Sequence, residues 1–315
     1  MVNLEGIRAA AARIAPYARR TPVFHSRALD AACGATVLMK GEHLQRAGAF
    51  KARGALNAVL ALADDALAGG VATHSSGNHG AALALAASIR GVPATVVMPR
   101  NAPAIKRAAV AGYGALIELC EPTLAAREAG LDAVVARTGA AVVHPYNDWQ
   151  VIAGQGTAAL ELLDAHPDLE LLLTPVGGGG LLSGSAIVSK ALAPGAAVIG
   201  VEPAGADDAA RGFRSGARVG GRAVNTIADG LRGELGDKTF AVITRLVDDI
   251  VTVDDAEIIA AMRFTWERTK QLIEPSSATV IAWLLRRPAA VQGRRVGVIL
   301  SGGNNDLDDM PWRER

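Results

Sequence analysis

Cysteine is scarce in this chain of 315 residues: Cys33 and Cys120 are the only two, and no Cys-x-x-Cys motif occurs. A disulfide framework is therefore absent, and the chain reads as one with two reduced, mostly buried thiols in a cytoplasmic setting. An excess of charge of one sign is missing too. The 32 Lys and Arg nearly balance the 31 Asp and Glu, leaving a net charge of +1, and the basic residues are scattered. That balance argues against a nucleic-acid partner held through its phosphates. No apolar run reaches membrane-spanning length, because Arg, Asp and Gly break the alanine-rich stretches. Nor does the beginning resemble a signal peptide, since Asn3-Leu4-Glu5-Gly6-Ile7-Arg8 carries charge where an apolar region would stand. No membrane partner is expected. The six histidines lack metal-ligand spacing. Ser76 and His79 hint at a hydrolase dyad, but no Gly-x-Ser-x-Gly elbow supports it. What remains is 50% hydrophobic and 20% charged, an ordinary globular composition with room for one large or two medium domains.

Short aliphatic runs alternate with helical stretches along the chain. Strands are expected at residues 36–39, 71–73, 94–98, 115–119, 141–143, 171–176, 197–201 and 295–300. Helices are expected at 52–63, 80–89, 104–111, 124–137, 150–163, 256–269 and 277–285, with another starting near Leu181. This alternation implies an α/β fold, a parallel sheet with helices on both faces. Residues 212–225, rich in Gly, Arg and Ser, read as a surface loop. In such sheets ligands bind at the carboxyl ends of strands. Four strand ends carry unusual loops: Ser75-Ser76-Gly77-Asn78-His79-Gly80, His144-Pro145-Tyr146-Asn147, Gly177-Gly178-Gly179-Gly180 and Ser301-Gly302-Gly303-Asn304.

The four consecutive glycines lie between an apolar strand and a helix start. Glycine lets backbone N–H groups close on an anion, and the helix adds free N–H groups and the positive end of its dipole. No Gly-Lys-Ser/Thr follows, which excludes a Walker A loop, and the spacing is not that of the dinucleotide fingerprint. A nicotinamide-dependent oxidoreductase is disfavoured for the same reason. Lys51 sits just before a helix, where the dipole lowers an amine's pKa. By itself it reads as a solvated lysine. A phosphate cradle together with an imine-forming lysine points to pyridoxal phosphate, whose phosphate and aldehyde need those two groups.

Gly48-Ala49-Phe50-Lys51-Ala52-Arg53-Gly54-Ala55-Leu56-Asn57, Ser75-Ser76-Gly77-Asn78-His79-Gly80 and Gly177 to Gly180 resemble the fold-type II pyridoxal-phosphate enzymes, in the branch of serine racemase and serine/threonine dehydratase. The resemblance is collinear from about Arg20 to Asn304. Ala52 and His79 stand where the sulfhydrylase branch has an aspartate and a threonine, which argues against that branch. The resemblance implies a tryptophan-synthase-β-like fold of two open, twisted, mostly parallel sheets flanked by helices. It implies a large cofactor-binding domain, residues 1–68 and 147–315, and a small mobile domain, residues 69–146. A homodimer is expected on the same basis, and with few residues after Ser301 a C-terminal regulatory domain is not expected. A small amino acid is expected as substrate on the basis of the resemblance.

The site residues follow from the resemblance in the same way. Lys51 joins the cofactor's aldehyde as an imine and removes the substrate's α-proton. Phe50 packs on the cofactor ring, Asn78 bonds its phenolic oxygen, and Ser301 faces its pyridine nitrogen. Gly177, Gly178, Gly179, Gly180 and Gly230 complete the cofactor site. Ser76 acts as a second acid/base, or else binds a carboxylate or caps the following helix. Ser75, Asn78, His79 and Arg127 surround the substrate. Glu202, Ala206 and Asp208 hold a divalent cation, Mg²⁺, Ca²⁺ or Mn²⁺, whose hard-oxygen preference suits two carboxylates and a carbonyl. Read without the family, Asn78 and Ser301 are ordinary turn residues, the acids a solvated turn and Arg127 an exposed helix residue. The expected reaction is β-elimination from a 3-hydroxy amino acid (L-serine, L-threonine or 3-hydroxyaspartate), giving a 2-oxo acid and ammonia. Amino-acid racemisation with dehydration as a side reaction is the alternative. Similar racemases usually have a substrate-touching serine near Gly233 that this chain lacks, a departure that bears on substrate identity and racemase activity, and the neighbouring Arg232 could supply a positive group for a second carboxylate, which would favour 3-hydroxyaspartate.

Overall fold

A computed structural model describes residues 1–221 and 223–312. The strands are β1 (Val23–His25), β2 (Thr36–Gly41), β3 (Val71–His74), β4 (Ala94–Pro99), β5 (Leu116–Cys120), β6 (Ala141–Val142), β7 (Leu171–Pro175), β8 (Ala197–Pro203), β9 (Asp249–Val253) and β10 (Arg295–Leu300). They form two sheets, β1-β2-β10-β7-β8-β9 and β5-β4-β3-β6. Of the strand pairs among the described residues, only β1–β2 is antiparallel. β2, β7 and β10 are buried along almost their whole length and mostly apolar, Lys40 in β2 apart, because helices cover both of their faces.

The helices are α1 (Leu4–Ile14), α2 (Arg27–Cys33), α3 (Lys51–Ala61), α4 (Asn78–Arg90), α5 (Ala104–Gly112), α6 (Leu124–Thr138), α7 (Trp149–Ala165), α8 (Gly180–Leu192), α9 (Asp208–Ser215), α10 (Asp237–Leu246), α11 (Asp255–Thr269), α12 (Pro275–Arg286) and α13 (Pro288–Val291). None among the described residues is long and apolar enough to cross a membrane. α3 packs on both α4 and α7, so the helix that begins at Lys51 lies between the two sheets. Its approach to α7 is close. A Cβ on Gly54 would stand 2.3 Å from Gln155 Nε2, and one on Gly154 would stand 2.5 Å from the Arg53 carbonyl. Two glycines facing each other let the backbones come together there.

The pattern of alternation holds, with boundaries displaced by a residue or two. The loop expected at 212–225 begins late, and Arg222 lies outside the described residues. Its first four residues are the last turn of α9. That helix is polar and contains Gly212, so propensity hides it. It forms because both oxygens of the buried Glu202 accept N–H groups of its first turn, from Ala209 at 3.0 Å and Ala210 at 2.9 Å. Gly216, at φ 72°, ends it.

Candidate active site

Lys51 opens α3, and no side chain caps that helix. Its Nζ donates to the Pro145 carbonyl at 2.8 Å and lies 5.1 Å from the centre of the half-buried Phe50 ring. Burial lowers its pKa to about 8, while Glu274 pulls the other way. Desolvation, not the helix dipole named from sequence, is thus the chief cause. An amine at about 8 is a usable nucleophile and base near neutral pH. One residue earlier the chain is anchored, because Phe50 N–H donates to the Ser301 carbonyl at 3.0 Å. This bond brings buried Ser301, at the end of β10, beside the lysine.

The loop after β3 divides its work. Ser75 Oγ accepts N–H groups from Gly77 (3.1 Å) and Gly80 (3.0 Å). Capping therefore falls to Ser75 and does not account for the half-buried Ser76. His79 is buried within α4 and donates from Nε2 to the Val143 carbonyl at 3.1 Å. Burial holds its pKa well below the ordinary value, so the ring is neutral. Asn78 is placed by two partners: its amide donates to Glu274 Oε1 at 2.7 Å, and its oxygen accepts from Asn304 at 2.9 Å.

Glu274 was not singled out from the sequence. Burial raises its carboxyl to about 7, with Lys106 opposing and Asp229 adding. Lys106 reaches both acids from α5, at 2.5 Å from Asp229 and 3.7 Å from Glu274. On its way it crosses Gly77, where a Cβ would lie 2.3 Å from its Cδ. This strap joins the four-stranded sheet's helices to loops of the six-stranded sheet.

The glycine loop follows β7 and leads into α8, whose N-terminus has no side-chain cap. Its uncapped first turn offers N–H groups to an anion. Gly179 takes φ 86°, a left-handed conformation costly for other residues. The neighbours demand glycine as well. A Cβ on Gly177 would meet Leu231 Cα at 2.8 Å, and one on Gly178 would meet the Tyr146 ring at 2.3 Å. Gly230 N–H donates to Ser276 Oγ at 2.9 Å, which fixes the loop facing the glycines.

Around Tyr146 the segment from His144 to Asn147 is held rigidly. His144 Nδ1 accepts the N–H groups of Tyr146 (3.3 Å) and Asn147 (2.9 Å), and its ring meets Tyr146 edge to face at 4.6 Å. Asn147 bonds Asp237 (2.6 Å) and the Lys238 N–H (3.0 Å). Burial, then His74 and Lys51, lower His144 to about 4. Burial and then Arg127 lower His74 to about 4. The Arg127 charge is therefore felt inside this cluster from α6, where its Nε also bonds the Thr123 carbonyl at 3.4 Å. Arg232 is engaged elsewhere, since its Nε (3.2 Å) and Nη2 (2.6 Å) both donate to the Thr226 carbonyl.

Glu202 and Asp208 lie together at the start of α9, with Ala206 between them in a short turn. Burial raises Glu202 to about 9 and Asp208 to about 7, with neighbouring acids adding to both. Among the described residues no three His, Cys, Asp or Glu side chains are arranged to hold a metal ion. The donors here number two carboxylates and a carbonyl.

A buried amine of lowered pKa, an uncapped helix behind a glycine loop, and an asparagine fixed between them suit a cofactor with an aldehyde, a phosphate and a phenolic oxygen. The chain belongs to the family of pyridoxal-phosphate dependent enzymes, which matches residues 14–302. It is 48% identical over 308 residues to a beta-hydroxyaspartate dehydratase of Paracoccus denitrificans, covering 98% of each chain. It is 47% identical to an L-threo-3-hydroxyaspartate ammonia-lyase of Saccharomyces cerevisiae, covering 94% of this chain and 91% of that one. Its structure is similar to that of maize serine racemase, with a TM-score of 0.95 and 45% identity over 98% of this chain and 95% of the other.

Proposed function

We propose that this enzyme removes water and then ammonia from a small 3-hydroxy amino acid, with 3-hydroxyaspartate as its preferred substrate. The observation that carries the reading is Lys51, a buried amine lowered to about 8 and held 2.8 Å from the Pro145 carbonyl. The 3-hydroxyaspartate-directed relatives favour the dicarboxylate over serine or threonine. Bound pyridoxal phosphate would supply an electron sink for the substrate's α-carbon. Lys51 would hold it through its aldehyde, the α8 N-terminus and the glycine loop through its phosphate, and Asn78 through its phenolic oxygen. Ser301 would meet the pyridine nitrogen with a hydroxyl, which leaves that nitrogen unprotonated and favours elimination. Lys51 takes the α-proton, and the cradle's remote binding energy orients the reacting carbon.

Racemisation is the second reading, and Ser76 favours it. Ser75 already does the capping, which leaves Ser76 for the second acid/base role that the resemblance to racemases implies. Ser76→Ala should cut any racemisation of enantiopure serine by about a hundredfold or more while keeping much of the ammonia release. The assay measures the opposite enantiomer by chiral chromatography alongside ammonia. Equal loss of both would make Ser76 a binding residue. The substrate assignment itself rests on a panel of L-serine, D-serine, L-threonine and the 3-hydroxyaspartate isomers. It fails if no hydroxyaspartate isomer yields ammonia faster than serine.

The cation belongs to the same proposal. Glu202, Asp208 and the Ala206 carbonyl present hard oxygens, and a divalent ion would relieve the repulsion between two buried acids. EDTA should then lower the melting temperature by several degrees, and added Mg²⁺ or Ca²⁺ should restore it. An unchanged melting curve would leave the acids without an ion.

A further inference from the structure

We propose that Lys106 is a positioning residue: its ammonium, held between Asp229 and Glu274, keeps the Glu274 carboxylate where it aims the Asn78 amide at the cofactor. This rests on the reading that places Asn78 at the cofactor's phenolic oxygen. The helix that carries the lysine, α5, buries Lys106 to 6% exposure and leaves its neighbour Ile105 at 42%. Burial of apolar surface alone would not select that arrangement, and lysines are seldom buried unless paired. Lys106 Nζ donates to Asp229 Oδ2 at 2.5 Å and lies 3.7 Å from Glu274 Oε2. Burial opposes its charge, but Glu274 and then Asp229 overrule it and raise its pKa. The stem reaches these acids across Gly77, with Cδ 2.3 Å from where a Cβ would stand. The lysine therefore lies directly against the loop that carries Ser76 and Asn78.

The two oxygens of Glu274 do different work. Oε2 faces the ammonium and, among the described residues, has no hydrogen-bond partner. Oε1 accepts from Asn78 Nδ2 at 2.7 Å. Asn78 Oδ1 in turn accepts from Asn304 Nδ2 at 2.9 Å, and Asn304 also donates to the Ala47 carbonyl at 2.9 Å. A flipped Asn78 amide would set its oxygen against a carboxylate and its nitrogen against another amide's N–H, so one orientation is fixed. An amide nitrogen carries a pair of N–H groups. One is spent on Glu274, and the other remains for the phenolic oxygen. The carboxylate is itself anchored from behind. The Glu274 N–H donates to the Gly302 carbonyl at 3.0 Å, and a Cβ on Gly302 would stand 2.5 Å from Oε1. Without the ammonium, this buried carboxyl beside Asp229 would take up a proton, and its bond to Asn78 would lose the strength that charge lends.

The test compares the full chain with Lys106→Met, Asn78→Ala and the double variant. Titration of each cofactor-free protein with pyridoxal phosphate, followed by absorbance, gives the dissociation constant. Ammonia release by the holoenzyme at saturating cofactor, from L-threo-3-hydroxyaspartate and from L-serine, gives kcat and KM. Lys106→Met should weaken cofactor binding about tenfold and lower kcat by a similar factor for both substrates, with KM moved far less. On the Asn78→Ala background the same change should add less than about twofold, because the two residues act in series. Losses that simply multiply in the double variant overturn the proposal, as does a Lys106→Met protein that binds cofactor and turns over like wild type. If Lys106→Met does not fold, Glu274→Gln on the two backgrounds decides by the same criterion. If Asn78→Ala leaves cofactor affinity unmoved, the reading of Asn78 falls and the proposal with it. If Asn78→Ala weakens the cofactor and Lys106→Met does not, the Lys106 assignment alone falls.

Discussion

Lys51→Ala should lower ammonia release by about a thousandfold or more and abolish the visible absorbance of the bound cofactor. An absorbance spectrum of the purified variant checks this, and a spectrum like that of wild type would remove Lys51 from the site. The wild-type protein, stripped of cofactor, offers a second check through pH. Only the unprotonated amine attacks an aldehyde, so the rate of pyridoxal-phosphate uptake should rise with pH. Burial places the midpoint near 8 instead of the ordinary lysine value of 10.5. A rate still climbing steeply above pH 10 would mean that the amine is bathed in water.

Arg53→Met should cost about 3–5 kcal/mol of stability, because it strands carboxylates that the guanidinium compensates. Arg53 is fully buried and forked across Glu42, at 2.7 and 2.8 Å, while its Nη1 donates to Glu161 at 2.8 Å. Lys40, equally buried, shares Glu161 at 2.5 Å. Burial works against the guanidinium's charge, yet Glu42 and Glu161 overrule it and raise its pKa. Two cations and two anions thus balance, and losing one cation unbalances the set. A fall in melting temperature of roughly 10 °C is expected. The sign with pH follows from Glu161. Burial resists its charge, but Arg53 and Lys40 hold its carboxyl below the ordinary 4.5. The stabilisation is present above that value and is lost as pH falls through the lower, folded one. The gap between variant and wild type should therefore close in acid. A variant that melts with wild type at pH 7 would show the network to be dispensable. The bonds from Arg53 to Glu42 and Glu161 fix the start of α3, two residues beyond Lys51, so cofactor absorbance should weaken as well.

The alternation of strands and helices was legible because β2, β7 and β10 are buried on both faces and α3, α4 and α7 are rich in alanine and leucine. α1 and α10 escaped notice because half their surface is polar, and β9 because it begins among acids at a sheet edge. The motifs around Lys51, Asn78 and the glycines were legible because each is local. Glu274, Lys106 and Asp229 were not, since a proline-flanked acid, a helix lysine and a loop aspartate carry no mark of their own. Only folding brings Lys106 across Gly77 to meet acids more than a hundred residues away. Tyr146 had a weaker signal, standing in one of the four loops at strand ends, but nothing local tied it to Gly178. Arg232 had the right charge in the right sequence neighbourhood, yet the Thr226 carbonyl takes two of its donors.

The crowding of Gly177 to Gly179 by Leu231, Tyr146, Leu235 and Thr239 bears on how descendants of this enzyme would look. A lineage that abandoned the cofactor would still be under selection to keep those three glycines, because a methyl group at any of them collides with protein. Their persistence would therefore be a poor witness to catalysis. Lys51 is held by no such crowding, so a relaxed lineage would lose it first. When a relative is suspected of being a silenced copy, the lysine is the residue to inspect.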